Sequence, residues 1–267
     1  MRVLFIGGNH PRHLYFLEKV NEAFPIQGAI FLNREKMLPD IPAGLEDIDA
    51  ANFVNHFKKR EEAEEKYFGH SDIEIFKCER LFVTEETLNS QASIMFISRI
   101  NPDVVLIFGS GLIKEPLLSA LPKNTINLHL GLSPRYRGAA TIFWAFYFLE
   151  PQFAGSTFHY IVPEPDSGDI IHQVIPKLEK GDSLHNVACK VVLESADQCV
   201  KLLHQLSEQG YWKRHKQKSS GKNFLERDFK AYHLRVIYNT FNDSIVDFFI
   251  ESQALVNKPY LFNQFHL

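Results

Sequence analysis

The stretch Ile126-Asn127-Leu128-His129-Leu130-Gly131 alternates apolar and polar residues and then stops at a glycine. Side chains on a strand alternate faces with a period of two. The pattern predicts a strand with Asn127 and His129 on one face and Ile126, Leu128 and Leu130 on the other. In the following Leu132-Ser133-Pro134-Arg135-Tyr136-Arg137-Gly138, the proline and glycine keep the chain from continuing as regular strand. The polar pair therefore sits at a strand end, just before a loop. In open α/β sheets that is where ligand crevices form.

On either side of this stretch, short apolar runs take turns with helical spacing. Residues 3–6 read as a buried first strand, and Gly7-Gly8 turns into a helix carrying Leu14, Leu17 and Val20. Residues 27–32 read as a second strand and 73–76 as another. Helical spacing follows over 88–100, then a continuous apolar strand over 104–108 ended by Gly109, then a short helix over 112–120. A longer helix over 185–206 would pack on the sheet. This rhythm predicts an α/β fold: a Rossmann-like, mostly parallel sheet with helices on both faces.

Between the second strand and residue 73 lies a charged segment, 47–68, in which Phe53 and Phe57 share a helical face. It reads as a surface helix pinned by aromatics, with its charges solvated. After Gly210, Tyr211 and Trp212 comes a basic cluster, 213–218, and Ser219-Ser220-Gly221 reads as a flexible connector. A further helix is expected through Leu234, Ile237, Phe241, Ile245 and Phe248. The layout is a unit over 1–206 with a small C-terminal extension, 207–267, and no repeats.

The 267 residues, 45% of them apolar, suffice for one ordinary core plus an appendage, and a net charge of −3 suggests neither nucleic acid nor membrane as partner. The N-terminal apolar run is too short for a signal peptide, and no run reaches transmembrane length. Cys78, Cys189 and Cys199 are odd in number and unpatterned, so no disulfide framework and no metal site is implied. A reduced, cytoplasmic setting is expected. The aromatic-rich tail leaves a homodimer open.

The string NLHLGLSPRYRG over 127–138, then Trp144, then Gly155-Ser156-Thr157-Phe158-His159, then Asp166-Ser167-Gly168-Asp169-Ile170-Ile171, resembles the folate-dependent formyltransferase family. That family includes methionyl-tRNA formyltransferase, glycinamide ribonucleotide formyltransferase and the sugar N-formyltransferases. The resemblance covers roughly 101–175, and more loosely the chain to about 206. It implies transfer of a formyl group from N10-formyltetrahydrofolate to a primary amine. In such a reaction the formyl oxygen takes on negative charge, the attacking amine loses a proton and the leaving nitrogen gains one. By resemblance Asn127 is the oxyanion donor, His129 assists it and moves the proton, and Asp166 orients the imidazole. Asp169 competes for that last role but is expected to brace the loop. The folate pocket would have one wall at Phe108, Gly109, Gly111, Leu112 and Ile113. The other would come from Pro163, Glu164 and Gly168, with the last glycine letting the backbone come close.

The acceptor is less sharply implied. Gly-Leu-Ser-Pro replaces the family's commoner Ser-Leu-Leu-Pro after the His, and Ala-Ala-Thr-Ile-Phe stands where a proline often precedes the Trp. Asn9, Arg12 and His13 sit at an expected helix N-terminus, as an anion site or as capping residues. Arg135, Tyr136 and Arg137 belong to the loop that would close over the acceptor. A nucleotide-linked amino sugar ranks first, because the family serves it with a short C-terminal segment. Methionyl-tRNA ranks second, because the region beyond Gly210 is too short for the family's basic barrel. Glycinamide ribonucleotide ranks third, because the Gly-Ser-Asn phosphate loop is absent. A non-catalytic folate or nucleotide binder is the reading from another class.

Overall fold

The computed structural model describes all residues except 34–36, 70–71, 219–220, 253–257 and 266–267. Five strands lie parallel: β1 (Val3–Gly8), β2 (Ile26–Leu32), β3 (Glu79–Val83), β4 (Val104–Phe108) and β5 (Thr125–His129). A short strand β6 (Tyr136–Gly138) leaves this sheet, and β7 (Ser156–Tyr160) and β8 (Ile170–Val174) return to it antiparallel. The spatial order is β3-β2-β1-β4-β5-β7-β8. The chain winds outward from β1 in one direction and from β4 in the other. A crevice opens where two such windings diverge, beyond the carboxyl ends of the strands.

Alternation along β1 feeds two cores. Val3 and Phe5 pack under helices α1 (Pro11–Ala23) and α6 (Leu184–Gln209), whereas Leu4 and Ile6 face α3 (Gln91–Ile100) and α4 (Leu117–Ala120). Helices therefore cover both faces, as expected of a parallel sheet. The Ser183 hydroxyl accepts from the Asn186 amide to start α6, and Gly210, at φ 79°, ends it.

Three expected elements differ. Residues 73–76 hold a single 3-10 turn (Ile73–Ile75), and the strand is Glu79–Val83, an edge strand exposed on one side whose Glu and Arg disguise it. The helix expected over 112–120 forms only at Leu117–Ala120. The helix expected through 234–248 is broken into a 3-10 turn (Ala231–His233), a π turn (Val236–Thr240) and α7 (Ile245–Glu251). Asn242 and Asp243 both turn left-handed at the break. Asp243 is spent as an anchor, accepting from the Leu184 amide at 3.1 Å and from Lys59 at 2.8 Å.

The charged segment is one helix, α2 (Asp47–Phe68). Its Phe53 and Phe57 rings meet at 4.7 Å, and its inner face buries Asp49, Asn52, His56 and Glu64. The C-terminal segment lies against that face: Arg235 forks onto Asp49, and Leu234, Ile237, Ile245 and Val246 share a third core with Phe143, Trp144 and Val187. The first two residues of the expected connector at 219–221 fall outside the described residues. Gly221 packs hard against the Pro134 carbonyl, and β9 (Lys222–Phe224) pairs with β6. Among the described residues no helix is long and apolar enough to cross a membrane.

β1 and β4 approach closely at their carboxyl ends. A Cβ on Gly7 would lie 2.2 Å from the Phe108 carbonyl and 2.4 Å from the Phe5 ring. Gly7→Ala is expected to destabilise the fold by about 1–3 kcal/mol, read as a shift in the urea unfolding midpoint; an unchanged midpoint would show that the strand ends are not held this tightly.

Candidate functional site

β5 ends at the crevice with Asn127 and His129 on its open side. Its antiparallel partner β7 places His159 directly opposite Asn127. The loop between β7 and β8 then brings Asp166 over both strands, with its backbone left-handed at φ 49°. A non-glycine residue there is strained, which is common where a side chain must be aimed. Gln217 holds the turn from behind, its amide donating to the Asp166 and Gly168 carbonyls at 2.8 and 2.7 Å.

The four side chains form one cluster. The Asp166 carboxylate lies 3.4 Å from His129 Nδ1 through Oδ2 and 3.4 Å from His159 Nε2 through Oδ1. The Gly138 amide donates to its Oδ2 at 3.0 Å. His129 Nε2 donates to the Tyr136 carbonyl at 3.0 Å, so the neutral ring keeps its lone pair on Nδ1, facing Asp166. His159 Nδ1 donates to the Tyr160 carbonyl at 2.9 Å. Its Nε2 therefore accepts from Asn127 Nδ2 at 3.1 Å, and the other Asn127 N–H reaches Asp166 Oδ1 at 3.4 Å.

Burial pushes the His129 imidazole below its usual value, outweighing the pull of Asp166, and His159 adds to the lowering. Burial alone would raise the Asp166 carboxyl. The two imidazoles and the Gly138 amide outweigh it and hold the group well below the usual carboxylate range. At neutral pH the arrangement is a carboxylate beside an uncharged imidazole, able to stabilise a proton arriving on Nδ1.

Glycine at 131 is required by this cluster, because a Cβ there would lie 2.5 Å from His129 Nε2. The loop is pinned by Thr157, which donates to the Gly131 carbonyl at 2.7 Å and accepts from the Ser133 amide at 3.0 Å. Thr141 donates to the Leu130 carbonyl.

Asn127, His129 and Asp166 line a cleft of about 1200 Å³. Phe108, Gly109, Gly111, Leu112, Ile113 and Glu164 line it too. Gly109 is left-handed, and its α-carbon is covered by the His13 ring, which also meets Phe108 edge-on at 4.7 Å. Pro163 and Gly168 do not line the cleft. Pro163 is exposed on the outside of its loop, and the close approach that Gly168 permits is to the Tyr160 carbonyl.

The residues expected at the acceptor are largely displaced. Arg135 forks onto Glu150 at 2.5 and 3.1 Å on the outer surface, and the Tyr136 hydroxyl donates to the same carboxylate at 2.6 Å. Tyr136 is buried against Phe224, so these two brace the loop from outside. Arg137 in β6 and Asn9 after β1 also stand outside the lining. His13 lines the cleft while accepting from the His10 amide as a cap of α1. Arg12 lines it as well, but its charge is met by Glu64 at 2.5 Å.

Sequence reasoning quoted His159 without giving it a role. The only signal was its place in an alternating strand, and the pairing opposite Asn127 joins segments 32 residues apart. The inner face of α2 was read as buried only at its aromatics, yet His56, Arg60 and Glu64 line the cleft.

The profile of the formyl transferase family matches residues 41–202. A methionyl-tRNA formyltransferase from Clostridium tetani is 33% identical over 79 residues, 29% of this chain and 25% of the relative's length. The aligned stretch thus spans about a quarter of that curated relative. A 4-N formyltransferase from Francisella tularensis superposes with a TM-score of 0.57 at 17% identity, covering 85% of this chain and 78% of that one. The formyltransferase PseJ from Anoxybacillus kamchatkensis, solved with UDP-4,6-dideoxy-4-formamido-L-AltNAc and tetrahydrofolate, gives 0.50 at 18% identity over 92% and 96%. At such identities the superpositions show a shared fold. The profile match covers more than half of the chain, over the strands and loops that carry Asn127, His129 and Asp166, and the chain belongs to the formyl transferase family.

Proposed function

We propose that this protein is a cytoplasmic N-formyltransferase that moves a formyl group from N10-formyltetrahydrofolate to the primary amine of a nucleotide-linked amino sugar. The observation that carries this reading is the convergence of Asn127, His129 and Asp166 on one wall of a large cleft. Family membership supports the donor.

The cleft wall from Phe108 to Ile113 fits a flat heterocycle with polar edges. It offers the main chain around Gly111, whose nearest neighbours on the open side are Leu88, Glu85 and Leu32 at 3.6–3.8 Å, and apolar surface at Ile113 and Ile161. When bound, the folate supplies an electrophilic formyl carbon. Asn127 presents two N–H groups, and the longer, weaker of its two hydrogen bonds is the one free to turn toward charge building on an oxygen. His129 Nδ1 takes the proton lost by the amine, the Asp166 carboxylate stabilises the resulting imidazolium, and the proton is returned to the folate nitrogen as its bond to the formyl carbon breaks. His159 holds the Asn127 amide in place.

One feature among the described residues bears on the acceptor. Near α1, Arg12 is already paired with Glu64, which weighs against a phosphomonoester in that position. The nucleotide sugar in the PseJ structure is consistent with the same class.

Asn127→Ala should lower kcat by about 100- to 1,000-fold. His129→Ala should abolish formylation of a nucleotide-linked amino sugar while tetrahydrofolate still binds by calorimetry; surviving turnover would refute the mechanism. The reactive form of His129 is the neutral one, so activity should fall as pH drops through its pKa. Because that pKa is lowered, the acid limb should lie below the usual imidazole value of about 6.5. Asp166 pulls it upward, so the residual activity of Asp166→Asn should show the limb displaced further to acid. A limb that stays in place or moves up would rule out Asp166 as the imidazole's partner.

A further inference from the structure

The cleft continues past the Asn127 cluster into an arm between α2 and α6, and two buried polar atoms there are unspoken for. Glu64 is 3% exposed and His185 4%, and both line the cleft. Among the described residues, Glu64 Oε2 and His185 Nε2 have no hydrogen-bond partner. A buried polar atom without a partner is costly, so a native structure that keeps two in one cleft points to a ligand that supplies partners.

The charge of this arm restricts what that ligand can be. Arg12 binds Glu64 through the carboxylate's other oxygen, so the pair carries no net charge. His185 stands 4.5 Å from His56, ring to ring, and burial keeps both imidazoles uncharged, with His56 pushed down to about 3. The nearby Cys189 thiol is pushed up by burial and stays protonated. An anion meeting Glu64 Oε2 would face the carboxylate directly, whereas Arg60, which also lines the cleft, donates to the Met37 carbonyl at 2.6 Å. A neutral group bearing hydroxyl or amide N–H donors would satisfy Glu64 Oε2 and pair with His185. Phe143 and Phe229, whose rings meet edge to face at 4.9 Å, add a flat apolar surface for the ring carrying those donors.

We propose that Glu64 and His185 form the subsite for the hydroxylated ring of the acceptor, so that the sugar enters the arm between α2 and α6 and the charged diphosphate stays outside it. This assignment rests on the transfer reading above and names the part of the acceptor that the arm selects.

The test is calorimetric titration of a uridine diphosphate-linked 4-amino-4,6-dideoxyhexose, and separately of tetrahydrofolate, into the full chain. Two variants are compared with the unaltered protein: His185→Phe, and the paired replacement Arg12→Met with Glu64→Leu. The paired change removes both buried charges together, which spares the fold the cost of an orphaned ion. Each variant should bind the sugar nucleotide about tenfold or more weakly, while its tetrahydrofolate affinity is unchanged. Undiminished sugar binding in either folded variant overturns the proposal, as does absence of binding to the unaltered protein. If the paired variant fails to fold in a thermal melt, His185→Phe decides alone. Failure of the unaltered protein to bind tetrahydrofolate would instead sink the transfer reading, with the sugar titrations still deciding the subsite.

Discussion

Asp166 is a carboxylate only 15% exposed, and the site is built around the need to satisfy it. A buried charge is tolerated only when partners replace its lost water. Two donors reach it, an Asn127 N–H from β5 and the Gly138 amide from β6, and the rings of His129 on β5 and His159 on β7 close over it. Each is in turn held by a backbone group or a neighbour. Tyr136 fixes His129, Tyr160 fixes His159, and Gln217 fixes the turn that carries Asp166. Remove the carboxylate and three segments lose their common anchor. The left-handed backbone at Asp166 is strain held in place by this same network.

The C-terminal segment has a structural part in the cleft despite its small size. It supplies β9, which pairs with β6 and so steadies the strand whose Gly138 amide meets Asp166. It also ties down α2 through Arg235 on Asp49, Tyr238 on His56 and Asp243 on Lys59. Further on, Gln264 donates to the Ile171 and Lys213 carbonyls, stitching the tail to β8 and to the chain beyond α6. The arm between α2 and α6 therefore takes its shape from contacts made by residues that lie far from it in sequence.

Legibility followed the range of the forces involved. β1, β2, β4 and β5 are buried on both faces or end in a polar pair, and their apolar runs stand out. α2 and α6 are long enough for their spacing to speak. The third strand was expected at 73–76 instead of Glu79–Val83 because an edge strand needs no continuous apolar run, and Glu79 and Arg80 interrupt its apolar pattern. The C-terminal helix was over-extended because its apolar spacing survives the break at Asn242 and Asp243, where a tertiary anchor overrides local preference. Arg135 and Tyr136 were expected at the acceptor because of their loop, yet Glu150 engages both, Arg135 on the outer surface and Tyr136 buried against Phe224. Nothing local to the loop announces that partner.

From its sequence alone this chain is recognisable as an α/β protein whose β5 strand presents an Asn and a His to a crevice, because strand periodicity is a local property. Its resemblance to a formyltransferase is legible for the same reason, since the motif residues lie in three short strings and a tryptophan. The tertiary structure alone decided that His159 faces Asn127, that Arg12 is neutralised by Glu64, and that, among the described residues, His185 and Glu64 each keep a buried atom without a partner beside the cleft. Those facts arise from strand pairing, ion pairing and helix packing between distant segments. Their energies depend on burial and mutual geometry, which no window of sequence contains.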